Sequence, residues 1–174
     1  YASQSFKVFP LRKNAKLPAR KDWQGMATDD AAKVIELWLS HPGANVGVYC
    51  KGLCVLDIDV KNGEDGRPAF AALAAPATLA TATASGGEHH YFKADGIRNR
   101  VKAFDGVDVR GDGGFVVGAG SIIDGRHYTL LRAAQVAELY EIARLLDPIL
   151  PATSEAVRSA VLANVKPANL FPRK

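Results

Sequence analysis

Cysteine is scarce in this 174-residue chain: there are two, Cys50 and Cys54. They flank a turn at Lys51 and Gly52 in apolar surroundings, and two thiols are too few for a disulfide framework. Buried free thiols are expected, not a disulfide or a zinc pair, and a reducing cytoplasmic setting fits them. No apolar run approaches the ~20 residues that span a bilayer, and no hydrophobic leader precedes a cleavage site. Internal repeats and low-complexity linkers are also lacking, which leaves one domain with at most two subdomains. Strong charge of one sign is missing too. A net charge of +4 and a pI near 9.1 permit a polyanionic partner without requiring one.

What is present is ordinary for a globular domain, with 48% hydrophobic and 23% charged residues, enough to bury a core. The chain opens at Tyr1, not Met, and is expected to be a fragment of a longer protein. Its most informative stretch runs from Leu53 to Val60. This apolar, β-branched run reads as a strand, bounded by Gly52 and by Asn62-Gly63. Alternation puts Asp57 and Asp59 on one face and Leu56 and Ile58 on the other. Two adjacent carboxylates repel and need a cation between them or protonation of one. Oxygen ligands on a rigid strand suit Mg²⁺ or Mn²⁺; the bland alternative is one capping and one solvated aspartate.

Along the rest of the chain, residues 6–10 read as a strand and 12–20 as a basic loop. Thr28 and Asp29 offer caps for a helix over 30–40, in which Val34, Leu37 and Trp38 recur at helical spacing. Strands over 45–49 and 53–60, joined by a short turn, predict a hairpin. A helix over 67–75 follows, then a hairpin over 78–93 with its turn at Ser85-Gly86-Gly87. A third hairpin is expected from 106–110 and 114–118, then a strand over 126–131. An amphipathic helix is predicted over 133–146 and another over 154–163.

The polar residues at these turns form a constellation. Asp57, Asp59 and Asp108 can hold two metal ions and clamp both oxygens of a phosphoryl displacement. Arg110, His89 and the Ser85-Gly86-Gly87 turn can grip a triphosphate through guanidinium, imidazole, hydroxyl and backbone N–H groups. Each piece alone also has a structural explanation: a plain turn, a hydrogen-bonded histidine, a surface ion pair. The basic stretches, Lys7 to Lys21 and Arg98 to Lys102, are either solvated faces or nucleic-acid contacts.

Taken in order, these motifs resemble the bifunctional primase-polymerase (Prim-Pol) domain of the archaeo-eukaryotic primase superfamily, found in plasmid, phage and mobile-element replication proteins. Residues 5–130 carry the likeness. Phe6 to Leu11 with Lys16 to Pro18 looks like the family's opening, and Val55 to Asp59 like its first catalytic motif. Ser85 to His89 resembles the histidine motif, and Val107 to Val117, through Ser121, the third. Gly118-Ala119-Gly120 departs from the prolines often found there, and His90 gives the motif histidine a neighbour.

The resemblance implies an α/β (α+β) fold with an RRM-like mixed or antiparallel sheet, an N-terminal αβ unit and C-terminal helices. It implies a catalytic domain over 1–132 and a helical extension over 133–174. It makes Asp57, Asp59 and Asp108 ligands of two Mg²⁺ or Mn²⁺ ions and puts His89 on the incoming nucleotide's phosphates, with Ser85, Gly86, Gly87 and Arg110 in support. The implied activity is template-dependent nucleotidyl transfer by a DNA primase or polymerase. Single-stranded DNA template, primer and (d)NTPs are the implied partners, with a helicase module in the same or a partner chain. Lys13, Lys16 and Arg20 are candidates for the template backbone. A catalytically silent nucleic-acid module and a metal-dependent nuclease are the competing readings. The first predicts a lost carboxylate, and the second does not explain the Ser-Gly-Gly-x-His element.

Overall fold

A computed structural model describes residues 5–138. Its twelve strands and three helices follow one another as β1 (Val8–Leu11), α1 (Trp23–Met26), α2 (Ala31–Ser40), β2 (Asn45–Tyr49), β3 (Leu53–Ile58), α3 (Arg67–Ala72), β4 (Ala80–Ala82), β5 (Glu88–Lys93), β6 (Arg100–Phe104), β7 (Val107–Arg110), β8 (Phe115–Val117), β9 (Ile122–Ile123), β10 (Arg126–His127), β11 (Thr129–Arg132) and β12 (Ala137–Glu138). The chain is mixed α+β, with mostly antiparallel pairing, as its alternating apolar stretches require.

Among the described residues the strands form a seven-stranded sheet ordered β11-β4-β5-β3-β7-β6, with β12 beside β5, a three-stranded sheet ordered β1-β2-β8, and a two-stranded ribbon of β9 and β10. Burial explains why β3 is central: Leu53, Cys54, Val55, Leu56 and Ile58 are all buried, so both faces must be covered. One face packs Leu56, Ile58, Phe92, Val107 and Val109 against Leu73 and the half-buried Phe70 of the α3 region. On the other, Val55 and Tyr91 meet Val8, Val48 and Val116 of the three-stranded sheet, with Val34 and Trp38 of α2 at the margin. A third cluster joins Phe9, Leu11, Val117 and Tyr128, with the Trp23 ring stacked on Phe9 at 4.5 Å. Among the described residues no helix is long and apolar enough to cross a membrane.

Helix α2 starts where Asp30, not Thr28 or Asp29, caps it: the Asp30 carboxylate accepts from the amides of Ala32 and Lys33, while Thr28 Oγ1 accepts from Asp30 N–H. The hairpin of β4 and β5 forms as its alternation predicts. Two expected hairpins do not. Strand β2 pairs with β1 and β8, and β3 with β5 and β7, so the turn between β2 and β3 carries the chain from one sheet to the other. The step from β7 to β8 does the same, and the two crossings touch through the Cys50 N–H bond to the Gly114 carbonyl, 3.0 Å. Asp112 locks this corner by accepting from the amides of Gly52 and Gly96.

Both cysteines are free and buried, Cys54 with its thiol pushed by burial up to about 12. The helix expected from residue 133 is corrected over its first residues: 133–136 have no regular structure, and Ala137–Glu138 is a short strand parallel to β5. Thr78 explains the change, because its hydroxyl accepts from Ala137 N–H and donates to the Tyr91 carbonyl, tying this segment to the sheet. The remainder of that helix and the one over 154–163 lie outside the described residues.

Candidate active site

Cross-strand partners share a face of a sheet. Asp57 on β3 lies opposite Asp108 on β7 and opposite His89 on β5, so Asp108, Asp57 and His89 form one row across three neighbouring strands. The row stands beyond the end of the apolar packing between the two sheets. There a cleft of about 270 Å³ opens, lined among others by Asp57, Asp59, Lys61, Ser85, His89, Asp108, Arg110 and Tyr128.

Each carboxylate is held differently. Asp59 lies one residue past the end of β3, yet its backbone is fixed on both sides: its N–H donates to the Gly106 carbonyl and its carbonyl accepts from Gly66 N–H, 2.8 and 2.9 Å. The strands and turns approach so closely here that a Cβ on Gly66 would stand 2.1 Å from the Gly106 carbonyl oxygen, and Gly106 itself has φ +65°. Only glycine fits either position. The Asp59 side chain receives the Lys61 ammonium at 2.7 Å. Asp108 accepts from the Lys102 amide and from Arg110 Nη2, both at 2.7 Å. Lys102 can aim its amide this way because β6 is bulged between Arg100 and Phe104.

Asp57 sits among three cationic or donor groups. His89 Nε2 is 3.3 Å from its Oδ1 and Arg110 Nη2 is 3.5 Å from its Oδ2. Burial acts to raise its pKa, but the His89 hydrogen bond and charge, with Arg110 and Lys61 adding, hold it below the ordinary carboxylate value. His89 is buried, and its Nδ1 has no hydrogen-bond partner among the described residues. Its neighbour His90 points to the opposite face, 2.6 Å from Glu88 and with its ring 4.2 Å from that of Phe70.

The turn before β5 closes on Thr83, whose amide donates to the Gly87 carbonyl and whose hydroxyl accepts from Gly87 N–H and lies 3.1 Å from Ser85 Oγ. Gly87 packs against β3 so tightly that a Cβ would stand 2.2 Å from the Ile58 carbonyl oxygen. Ser85 and Thr83 line the cleft, whereas Gly86 and Gly87 do not. Of the three basic-loop candidates, Lys16 lines the cleft, Lys13 lies over Gly43, and Arg20 is bound by Asp22 through two hydrogen bonds of 2.9 and 3.1 Å. Lys61, Thr83 and Tyr128 belong to the cleft without having been singled out by sequence reasoning. Lys61, two residues beyond Asp59 in an otherwise polar turn, carried a readable signal. Tyr128 carried none, since its place beside His89, 6.1 Å between ring centroids, depends on how β11 pairs with β4.

Three carboxylates make an all-oxygen donor set, which is the chemistry of a Mg²⁺ or Mn²⁺ site. As the side chains stand, Lys61 and Arg110 neutralise them and His89 lies against Asp57, and among the described residues no three His, Cys, Asp or Glu groups stand so as to hold an ion together. The donors fit a divalent ion by type, and occupation requires Lys61 or Arg110 to give way. No curated protein matches the chain. Residues 1–142 match the family described as Bifunctional DNA primase/polymerase, N-terminal, a span that contains the whole carboxylate row, the histidine and the turn before it. A DNA primase/polymerase domain acts on DNA and nucleotides, and by this match across most of its length the chain belongs to the Prim-Pol family.

Proposed function

We propose that the domain carries out template-dependent nucleotidyl transfer on single-stranded DNA, as a DNA primase or polymerase, using the cleft around Asp57. The observation that carries this reading is the row Asp108, Asp57, His89, with Asp59 beside it, on three adjacent strands of one sheet. Asp57, Asp59 and Asp108 would hold two Mg²⁺ or Mn²⁺ ions. When bound, such ions supply Lewis acidity at the attacking hydroxyl and at the leaving pyrophosphate. His89 would donate to a phosphate oxygen of the incoming nucleotide, its Nε2 leaving Asp57 once that carboxylate holds a cation, and Ser85, which lines the same cleft, would donate its hydroxyl. Arg110 holds Asp57 and Asp108 in line, and its guanidinium is the group best shaped for bidentate contact with a phosphate. Lys16, at the mouth, meets the template or nucleotide backbone, while base pairing supplies sequence choice.

The test is incubation of the protein with Mn²⁺, labelled nucleotides and a single-stranded template, with and without primer. Labelled products longer than the primer, lost in Asp57→Asn, are expected. Absence of product with every template and both nucleotide types, from protein that still melts cooperatively, overturns the reading.

A further inference from the structure

Two kinds of cation neutralise the three carboxylates, and they differ in how they are mounted. Arg110 lies within β7, its guanidinium reaching both Asp108 and Asp57. Lys61 lies on a β-turn in which Glu64 N–H donates to the Lys61 carbonyl, 3.0 Å, and Asn62 and Gly63 have φ +55° and +83°. Residues 61–65 are all exposed. The Lys61 side chain is itself 46% exposed, so it can leave Asp59 without disturbing any packed side chain. Its ammonium nevertheless feels the whole cluster. The hydrogen bond to Asp59 raises its pKa, burial opposes this, and the charges of Asp59, Asp57 and Asp108 each add a smaller rise.

An ammonium 2.7 Å from a carboxylate oxygen stands where a cation bound to that oxygen would stand, and the two exclude each other. Once the carboxylates are neutralised by another cation, nothing in the cleft retains Lys61. A polyphosphate entering beside Ser85 and His89 then becomes the strongest attractor within reach of its four-carbon stem. We infer that Lys61 is the resident counter-ion of the cleft, exchanged from Asp59 by an incoming divalent cation and then transferred to the triphosphate of the incoming nucleotide. The inference rests on the nucleotidyl-transfer reading of the site. It adds that cation binding and nucleotide capture are coupled through one side chain.

The experiment measures Mn²⁺ binding by electron paramagnetic resonance in the absence of nucleotide, and then nucleoside triphosphate binding to the Mn²⁺-loaded protein. Wild type, Lys61→Met, Lys61→Arg and Asp59→Asn are compared. Lys61→Met keeps the stem, removes the charge and alters only an exposed turn. It is expected to bind Mn²⁺ roughly fivefold more tightly than wild type, about the strength of one partly screened ion pair. It should also bind triphosphate about tenfold more weakly, equivalent to one lost charge-assisted contact. Lys61→Arg should restore most of the triphosphate affinity. Unchanged Mn²⁺ affinity, or unchanged triphosphate affinity, in Lys61→Met overturns the exchange while leaving the metal site standing, provided that Asp59→Asn weakens Mn²⁺ binding. If wild type binds no Mn²⁺ and Asp59→Asn changes nothing, the metal reading of the cleft falls and the exchange falls with it.

Discussion

Adjacent histidines on one strand offer a test in which geometry assigns opposite outcomes to near-identical substitutions. His89 faces Asp57 in the cleft, whereas His90 is 3% exposed on the other face, wedged against Phe70 and Glu88. In His90→Ala the ring's cavity stays lined by packed atoms and Glu88 loses its partner, together worth about 2–4 kcal/mol. At about 2–4 °C per kcal/mol for a domain of this size, the melting temperature should fall by roughly 10 °C. Turnover per folded molecule, assayed well below that temperature, should stay within about threefold of wild type, because nothing in the Asp57 row moves and threefold is under 1 kcal/mol. His89→Ala removes a donor aimed at developing phosphate charge, an effect of about 10²–10³ in rate. Being buried, it also costs some stability, but less than His90, since it borders an open cleft. Primer extension with Mn²⁺ and thermal melts on both variants decide the matter. A His90→Ala protein that melts normally but fails to extend primer, beside an active His89→Ala, refutes the assignment of faces.

Asp57→Asn and Asp108→Asn should each abolish incorporation while both proteins still melt cooperatively, and near-normal extension by both would remove the carboxylates from the chemistry. Gly106→Ala, which forces a side chain onto φ +65° and into the Gly66 backbone, should lower stability in urea by at least ~1–3 kcal/mol; an unchanged midpoint would show that this contact is loose. Lys16→Ala should reduce the salt slope of single-strand binding by about 0.7, whereas Arg20→Ala, its guanidinium already taken by Asp22, should leave the slope alone. Burial keeps His90 below the ordinary histidine pKa of ~6.5, against the opposing pull of Glu88. The native state therefore binds fewer protons than the unfolded chain, so this contribution is complete above pH ~6.5 and is lost as pH falls from there toward the folded-state value. His90→Gln should flatten that part of the melting-temperature profile, and an unchanged profile would exclude His90 as its source.

Much of the site was legible because it depends on alternation. A period of two puts Asp57 with Asp59, and His89 apart from His90, whatever the partners of the strand. The pairing of sheets was not legible in the same way. A short glycine-containing turn such as Lys51-Gly52 is compatible with a hairpin, but β2 and β3 are interior strands of different sheets, and their partners β8 and β7 lie 49 to 70 residues further along the chain. The Gly111-Asp112-Gly113 turn misleads for the same reason, because Asp112 serves Gly52 and Gly96 instead of closing a local hairpin. Tyr128 was not legible because it belongs to no repeating pattern, and only the folded path of the chain brings it to the cleft; Lys61 was, being two residues beyond Asp59.

The two sheet crossings, at residues 50–52 and 111–114, bear on how the domain is made. Strand β2 needs β8 as its second partner and β4 needs β11, so the three-stranded sheet is incomplete until residue 117, and the seven-stranded sheet until residue 138, has left the ribosome. Closing such loops first and being rewarded later is the condition for slow folding. Nascent chains stalled short of residue 117 should therefore stay protease-sensitive even though β1 to β3 are already out, and full protection should arrive only once β11 and β12 have emerged as well.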